Sequence, residues 1–165
     1  MILGLHHTAI ATCDIERLAD FYIAQFGCKL LVADGWSNAE DLDAIVGLRG
    51  SAARFMLLDA GNQCIELFEF TSPAPSAGDP DRPVSDPGFT HICFAVRDID
   101  AEFERLSAAG MRFHTPPKRA GDRPFRATYG RDPDGNVVEL LEILGDHPFN
   151  YEPTCPRWQA DKNGQ

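Results

Sequence analysis

The chain repeats itself. Residues 5–30 read LHHTAIATCDIERLADFYIAQFGCKL and residues 89–113 read FTHICFAVRDIDAEFERLSAAGMRF. His7 stands seven residues before Asp14 and His91 seven before Asp98, and Gly27 and Gly110 follow those aspartates by 13 and 12 residues. Each copy closes on a near-identical stretch, IELFEF around Glu66 and VELLEI around Glu139. Self-similarity of this kind means two copies of one supersecondary unit, so the search for a fold narrows to what a single copy can form.

Residues 4–12 and 89–96 are β-branched, aromatic and small, and read as strands. Asp14 and Asp98 then stand where helix N-caps belong, Ile15, Leu18, Ala19, Tyr22 and Phe26 recur at helical spacing, and Gly27 supplies the stop. Ile99, Phe103, Leu106 and Gly110 do the same in the second copy. A hairpin follows in each, 53–59 with 63–70 and 125–130 with 136–143, the second turning at Asp132-Pro133-Asp134-Gly135. The repeating unit is βαβββ. The expected organisation is a first module over residues 1–70, a Pro/Gly/Ser/Asp-rich linker over 71–88, a second module over 89–143 and a tail over 144–165, all within one structural domain. The histidine-to-glutamate distance is 59 residues in the first copy and 48 in the second, and the excess falls in residues 35–50, where a short helix is expected.

A formal net charge of -10, with no clustered Lys/Arg stripe, excludes binding to nucleic acid through its phosphates and leaves a small molecule as the partner. No apolar run approaches the roughly 20 residues that cross a bilayer, so no membrane role and a cytoplasmic location are expected. The five cysteines lack CxxC spacing and read as reduced, mostly buried thiols.

Strand pleating places His7 on the side of Ala9 and Ala11, and His91 on the side of Cys93 and Ala95. Small neighbours leave a hollow in front of each imidazole. Glu66 shares its side with Cys64 and Phe68, and Glu139 with Val137 and Leu141, so both carboxylates are expected among apolar groups, where they need a counter-charge. Two neutral imidazoles and two carboxylates around one divalent cation are formally neutral, which offsets the cost of burying them. His7, Glu66, His91 and Glu139 are therefore the candidate metal ligands. Trp36, Phe55, Phe68, Phe125 and Tyr129 are candidates for an apolar substrate pocket or for plain core. His6 is expected on the other face, and His114 and His147 lack equivalents in the repeat. Glu69 and Glu142 recur three residues after the candidate ligands, an odd spacing that puts them on the far face, solvated or paired with a basic residue. The Asp132–Gly135 stretch lacks the length and acidic residues of a calcium or phosphate loop and reads as a turn.

The strand LHHTAIA, the helix opening DIERLADFY ending in FG, the strand GFTHICFAVRD and the closing segment YGRDPDGNVVELLE, in this order and spacing, resemble the vicinal oxygen chelate superfamily over residues 3–143. That family includes glyoxalase I, methylmalonyl-CoA epimerase, extradiol dioxygenases, and fosfomycin and bleomycin resistance proteins. The resemblance implies an α+β fold in which two paired βαβββ modules form a cupped mixed sheet around a central cleft, with a metal held by His7, Glu66, His91 and Glu139. It also implies a homodimer in which a site is built within one chain or across two. In relatives that resemble glyoxalase I a ligand glutamate also moves a proton; by position that residue is Glu139, with Glu66 its partner.

The expected activity is a glyoxalase-like lyase or isomerase, dependent on nickel, cobalt, zinc, manganese or iron, acting on a small substrate chelated through vicinal oxygens. Two alternatives stand beside it. An extradiol-type iron dioxygenase would use His7, His91 and Glu139 and leave Glu66 idle; Tyr129 is placed as in those enzymes, but residues 119–127, RAGDRPFRA, lack the histidine that accompanies it. A metal-free, resistance-type protein would bind a small molecule without chemistry.

Overall fold

The computed structural model describes residue 2 and residues 4–146. The tail beyond them, with His147, lies outside the described residues. The chain separates into two compact units, with the boundary between Ala77 and Gly78.

In the first unit the order is β1 (His7–Ala11), α1 (Ile15–Phe26), β2 (Lys29–Ser37), α2 (Glu40–Val46), β3 (Ala52–Asp59) and β4 (Cys64–Ser72). The strands form a mixed sheet ordered β1-β4-β3-β2, with β1 parallel to β4 and the other pairings antiparallel. Helix α1 begins where its first backbone N–H groups find an acceptor: the Asp14 carboxylate takes the N–H of Arg17 at 3.0 Å. It ends at Gly27, which adopts φ +67°, a conformation that costs other residues a clash at Cβ. Ile15, Leu18, Ala19 and Tyr22 line one face of α1 and are buried, as are Ile10, Leu58, Ile65 and Leu67 of the sheet, and α1 contacts β3 and β4. The short helix expected within residues 35–50 is α2.

The second unit repeats the plan: β5 (Ile92–Ala95), α3 (Ile99–Ala108), β6 (Arg112–Phe113), β7 (Lys118–Arg119), β8 (Phe125–Arg131) and β9 (Val137–Ile143). Its sheet runs β5-β9-β8-β6, with β7 also paired to β8 and β5 parallel to β9. Asp98 caps α3 through the N–H of Ala101 at 3.3 Å. Ile99, Leu106, Val138 and Leu140 are fully buried between α3 and the sheet. The fold is thus α+β, two βαβββ modules each with its own mixed sheet. Among the described residues no helix is long and apolar enough to cross a membrane.

Both opening strands are shorter than the sequence pattern implies. In the second module the chain turns at Gly88, φ +125°, and the Phe89 carbonyl is taken by the Arg82 guanidinium at 2.7 Å, so extended pairing starts only at Ile92 and His91 precedes the strand.

The far face of each sheet explains the second set of repeated carboxylates. Arg54 of β3 donates to Glu69 of β4 (Nε to Oε2, 2.8 Å) and to Glu16 of α1 (Nη2 to Oε2, 2.8 Å). Arg126 of β8 donates to Asp100 of α3 at 2.6 and 2.7 Å and approaches Glu142 of β9 at 3.8 Å. Glu142 also accepts the N–H of Asp98 at 2.7 Å. Each module therefore ties the start of its helix to its sheet through one guanidinium and two carboxylates. The hydrogen bonds from Arg54 and from Arg126 hold the Glu16 and Asp100 carboxyls below their ordinary range, so both clamps stay charged at neutral pH.

The later part of the proline-rich connection is anchored. Arg131 donates to the carbonyls of Pro80 (3.2 Å) and Arg82 (2.8 Å) and to that of Gly135 (2.8 Å). The Asp132–Gly135 turn is organised by Asp132, whose carboxylate accepts the N–H groups of Asp134 (2.9 Å) and Asn136 (2.8 Å) and the Asn136 side chain (2.9 Å). The segment that looks like an ion loop is a hairpin turn with the connection resting on it.

Candidate metal centre

In the first module His7 opens β1, and β4 beside it carries Glu66, in register with Ala9. The imidazole reaches one pleat along the sheet, and its Nε2 lies 3.1 Å from Glu66 Oε2. In the second module His91 precedes β5, and Glu139 of β9 is in register with Cys93. Here Nε2 lies 3.0 Å from Glu139 Oε2. Ala9 and Cys93 both stand two residues after their histidine, so the two pairs are the same construction. The carboxylates are largely buried, at 17 and 14 % side-chain exposure, whereas the imidazoles keep an open side at 38 and 27 %.

The other ring nitrogen of each histidine meets the residue before it. His6 Nδ1 lies 2.8 Å from His7 Nδ1, and Thr90 Oγ1 lies 2.9 Å from His91 Nδ1. The sequence pattern sets His6 on the opposite face, but His6 precedes the strand, so pleat alternation does not govern it, and its ring meets His7 edge-on at 5.1 Å. Engaging Nδ1 orients the ring and leaves Nε2 toward the carboxylate, the arrangement by which neighbours fix histidine donors. Neither partner stands out in the sequence; the available signal was a hydrogen-bonding residue directly before each repeated histidine.

The donor set suits a divalent cation. Two donors each about 2.1 Å from one ion and at right angles stand about 3 Å apart, which is the separation found in both pairs. An imidazole–carboxylate hydrogen bond spans the same distance, so the pairs hold this geometry with or without an ion. Among the described residues no group of three or more His, Cys, Asp or Glu side chains converges. The structure brings the four candidates together two by two, within modules. Replacing Thr90 by valine removes the oxygen at nearly constant volume and is expected to lower affinity for manganese about tenfold or more. Calorimetric titration measures this, Thr90→Ser should restore it, and an unchanged affinity would show the hydroxyl to be idle.

Other groups cluster near the second pair. Cys93 keeps one side exposed, while the protein around its sulfur and, next, the Glu139 carboxylate push the thiol up to about 12. Among the described residues Cys13 is also exposed, Cys64 half-buried and only Cys28 buried, so the expectation of mostly buried thiols is corrected for these four; Cys93 lies on the open face beside Ala95, and Cys13 outside the strands. Tyr129, in register with Glu139, has its ring 4.9 Å from His91 and 6.4 Å from His114. Burial and the neighbouring carboxylate raise its phenol, which remains a proton donor at neutral pH. His114 gives no sign of itself in the repeat; a backbone bond to the Tyr129 carbonyl, 2.8 Å, sets it there. Phe125 lies four residues from Tyr129 on the same strand, two rows from Glu139. Trp36, Phe55 and Phe68 gather in the first module, with Phe68 two residues from Glu66.

Two βαβββ modules, each with a mixed sheet and a histidine–glutamate pair on the face opposite its helix, define a duplicated α+β protein. The chain belongs to the Glyoxalase/Bleomycin resistance protein/Dioxygenase superfamily, whose family model matches residues 4–140. It is 29% identical to a 2-epi-5-epi-valiolone epimerase from Actinomyces sp., over 96% of this chain and 90% of that one. It is 31% identical to a lactoylglutathione lyase from Pseudomonas putida, over 83% of each. In fold it is similar to a glyoxalase family protein from Bacillus cereus, with a TM-score of 0.78 at 22% identity, covering 88% of this chain and 97% of that one.

Proposed function

We propose that the protein is a divalent-metal-dependent lyase or isomerase whose substrate is a small molecule chelated through two neighbouring oxygens. The observation that carries this reading is the duplicated pair: imidazole Nε2 and carboxylate oxygen 3.1 and 3.0 Å apart at equivalent places in both modules. The metal ligands are His7, Glu66, His91 and Glu139, completed within one chain or between two. A divalent ion bound there supplies electrophilic stabilisation of the negative charge that develops on chelated oxygens.

The chain's own groups do the rest. Glu139 and Glu66 are the catalytic residues: a carboxylate released toward the substrate takes a proton from the carbon next to the carbonyl, and the same or the other carboxylate returns it. Return to the same carbon from the opposite side is epimerisation, and return to the neighbouring carbon is the lyase or isomerase outcome. The protonated Tyr129 hydroxyl is a hydrogen-bond donor beside Glu139 and orients the bound oxygens. The similarity to the valiolone epimerase, over nearly the whole length of both chains, favours the epimerase form, and the similarity to lactoylglutathione lyase favours the other. A homodimer belongs to this reading: β2 is an outer strand that exposes Leu30, Leu31 and Val32, a surface that a second copy would cover.

Metal analysis of the purified protein by mass spectrometry tests the site, alongside Glu66→Gln and His91→Ala. About one nickel, cobalt, zinc or manganese per site, weakened in both variants, is the expected result. Iron kept by Glu66→Gln and lost by His91→Ala would replace the reading with ring cleavage by an iron dioxygenase. No metal under any loading condition would leave a binding protein.

A further inference from the structure

The open face of the first sheet is not symmetric with that of the second. From Glu66, the next row across the strands holds Phe55 and Phe68, and the row after it holds Trp36 and Phe70. Steps of two residues along a strand are about 7 Å, so an aromatic surface begins one ring's length from the carboxylate. Phe68 and Phe70 stack with centroids 5.7 Å apart, and Trp36 meets both edge-on at 5.9 Å. Phe55 adds a tilted contact to Phe68 at 6.1 Å. All four rings are half-buried, neither sealed in a core nor free in solvent. The matching rows of the second module hold Ala127 with Leu141, then Phe125 with Ile143.

The indole is fixed by the segment that the second copy lacks. Trp36 Nε1 donates to Ser51 Oγ at 2.8 Å, and the Ser51 hydroxyl donates to the Asp43 carboxylate on α2. Asp43 also accepts the N–H groups of Ser51 (2.7 Å) and Gly50 (2.6 Å). Ser51 is fully buried. The hydrogen bonds, first from the Ser51 hydroxyl, hold the Asp43 carboxyl below its ordinary range, so this relay stays charged unless the pH falls well into the acid range. The extra segment of the first module therefore clamps one indole in one orientation.

We propose that this aromatic wall is the specificity determinant of the site, and that it takes a substrate whose chelating oxygens carry an aromatic ring or a comparably flat apolar ring. A ring laid against Phe68 and the indole edge gains the offset and edge-to-face contacts that these side chains already make with one another. A methyl-sized substituent would leave that surface to water. Trp36 and Phe68 are the specificity residues, and Asp43 is a positioning residue acting through Ser51. The proposal rests on the chelate reading above.

Mandelate and lactate test it, because they share a hydroxyl beside a carboxylate and differ only in phenyl against methyl. Their dissociation constants on manganese-loaded full-length protein are measured by calorimetry. Mandelate is expected to bind at least tenfold tighter. Trp36→Leu and, independently, Phe68→Leu should reduce the ratio to threefold or less by weakening mandelate. Asp43→Asn should narrow the ratio and shift the Trp36 emission, followed in a Trp158→Phe background, whereas a role limited to stability would leave the ratio intact. Equal affinities in the parent protein, both lost in His91→Ala, would overturn the wall and leave the chelate reading standing. A phenyl preference that survives His91→Ala would keep the wall and remove the chelate. Absence of binding by either acid would overturn the proposal.

Discussion

Replacing Glu139 by glutamine is expected to slow exchange of the proton beside the carbonyl of hydroxyacetone by about a thousandfold, within the range that a positioned general base contributes. Deuterium incorporation from solvent, followed by proton NMR on the metal-loaded protein, reads the rate directly. Glutamine keeps the size and one oxygen donor of the side chain but cannot accept a proton at neutral pH. The effect should therefore exceed any loss of bound metal, which is measured on the same samples. Glu66→Gln is expected to lose less, because Glu139 remains beside Tyr129. Losses in both variants that merely track metal content would remove proton transfer by either carboxylate and leave them as ligands. That outcome favours chemistry in which oxygen, not a protein base, reacts with the chelated compound.

The second large effect concerns the frame. Gly135→Ala is expected to destabilise the second module by about 3 kcal/mol or more, read as a shift in urea midpoint at constant slope. Gly135 has φ +90°, and a Cβ there would stand 2.2 Å from the Pro80 carbonyl oxygen and 2.3 Å from its Cα. Both the backbone and the connection resting on it would have to move. Residues 78–88 should then become readily cleaved by protease, because Arg131 would lose its carbonyl partners at Pro80 and Arg82. A variant that unfolds with the parent midpoint would show that the connection yields without cost.

Most of the frame is legible in the sequence because its signals are local. Asp14, Asp98 and Gly27 mark helix ends through hydrogen bonds and backbone angles that depend on a few adjacent residues, and the structure has them in those roles. The repeat then supplies the long-range pairing that local signals lack, aligning His7 with Glu66 as His91 with Glu139. Other features escape for physical reasons. Arg54 and Arg126 are ordinary surface residues in sequence, and their importance lies in carboxylates 15 to 38 and 26 positions away. The shortness of β5 depends on a carbonyl captured by Arg82, and His6 and Thr90 matter through the nitrogen of the residue after them. The relay from Asp43 through Ser51 to Trp36 joins a helix, a loop residue and a strand whose order reveals nothing of the contact.

The guanidinium clamps have a consequence for how such a protein changes over time. Arg54 with Glu69 and Glu16, and Arg126 with Glu142 and Asp100, occupy the helix-covered faces, while the histidines, Glu66, Glu139 and the aromatic rows occupy the opposite ones. The ion pairs that tie helix to sheet and the candidate site residues thus lie on opposite sides of the same strands, at alternate residues. A substitution at Phe55, Phe68 or Tyr129 leaves the clamp that orients its neighbours in the chain untouched. A lineage that inherits this division can change the side chains on one side of a sheet while the ion pairs on the other side keep each helix tied to its strands.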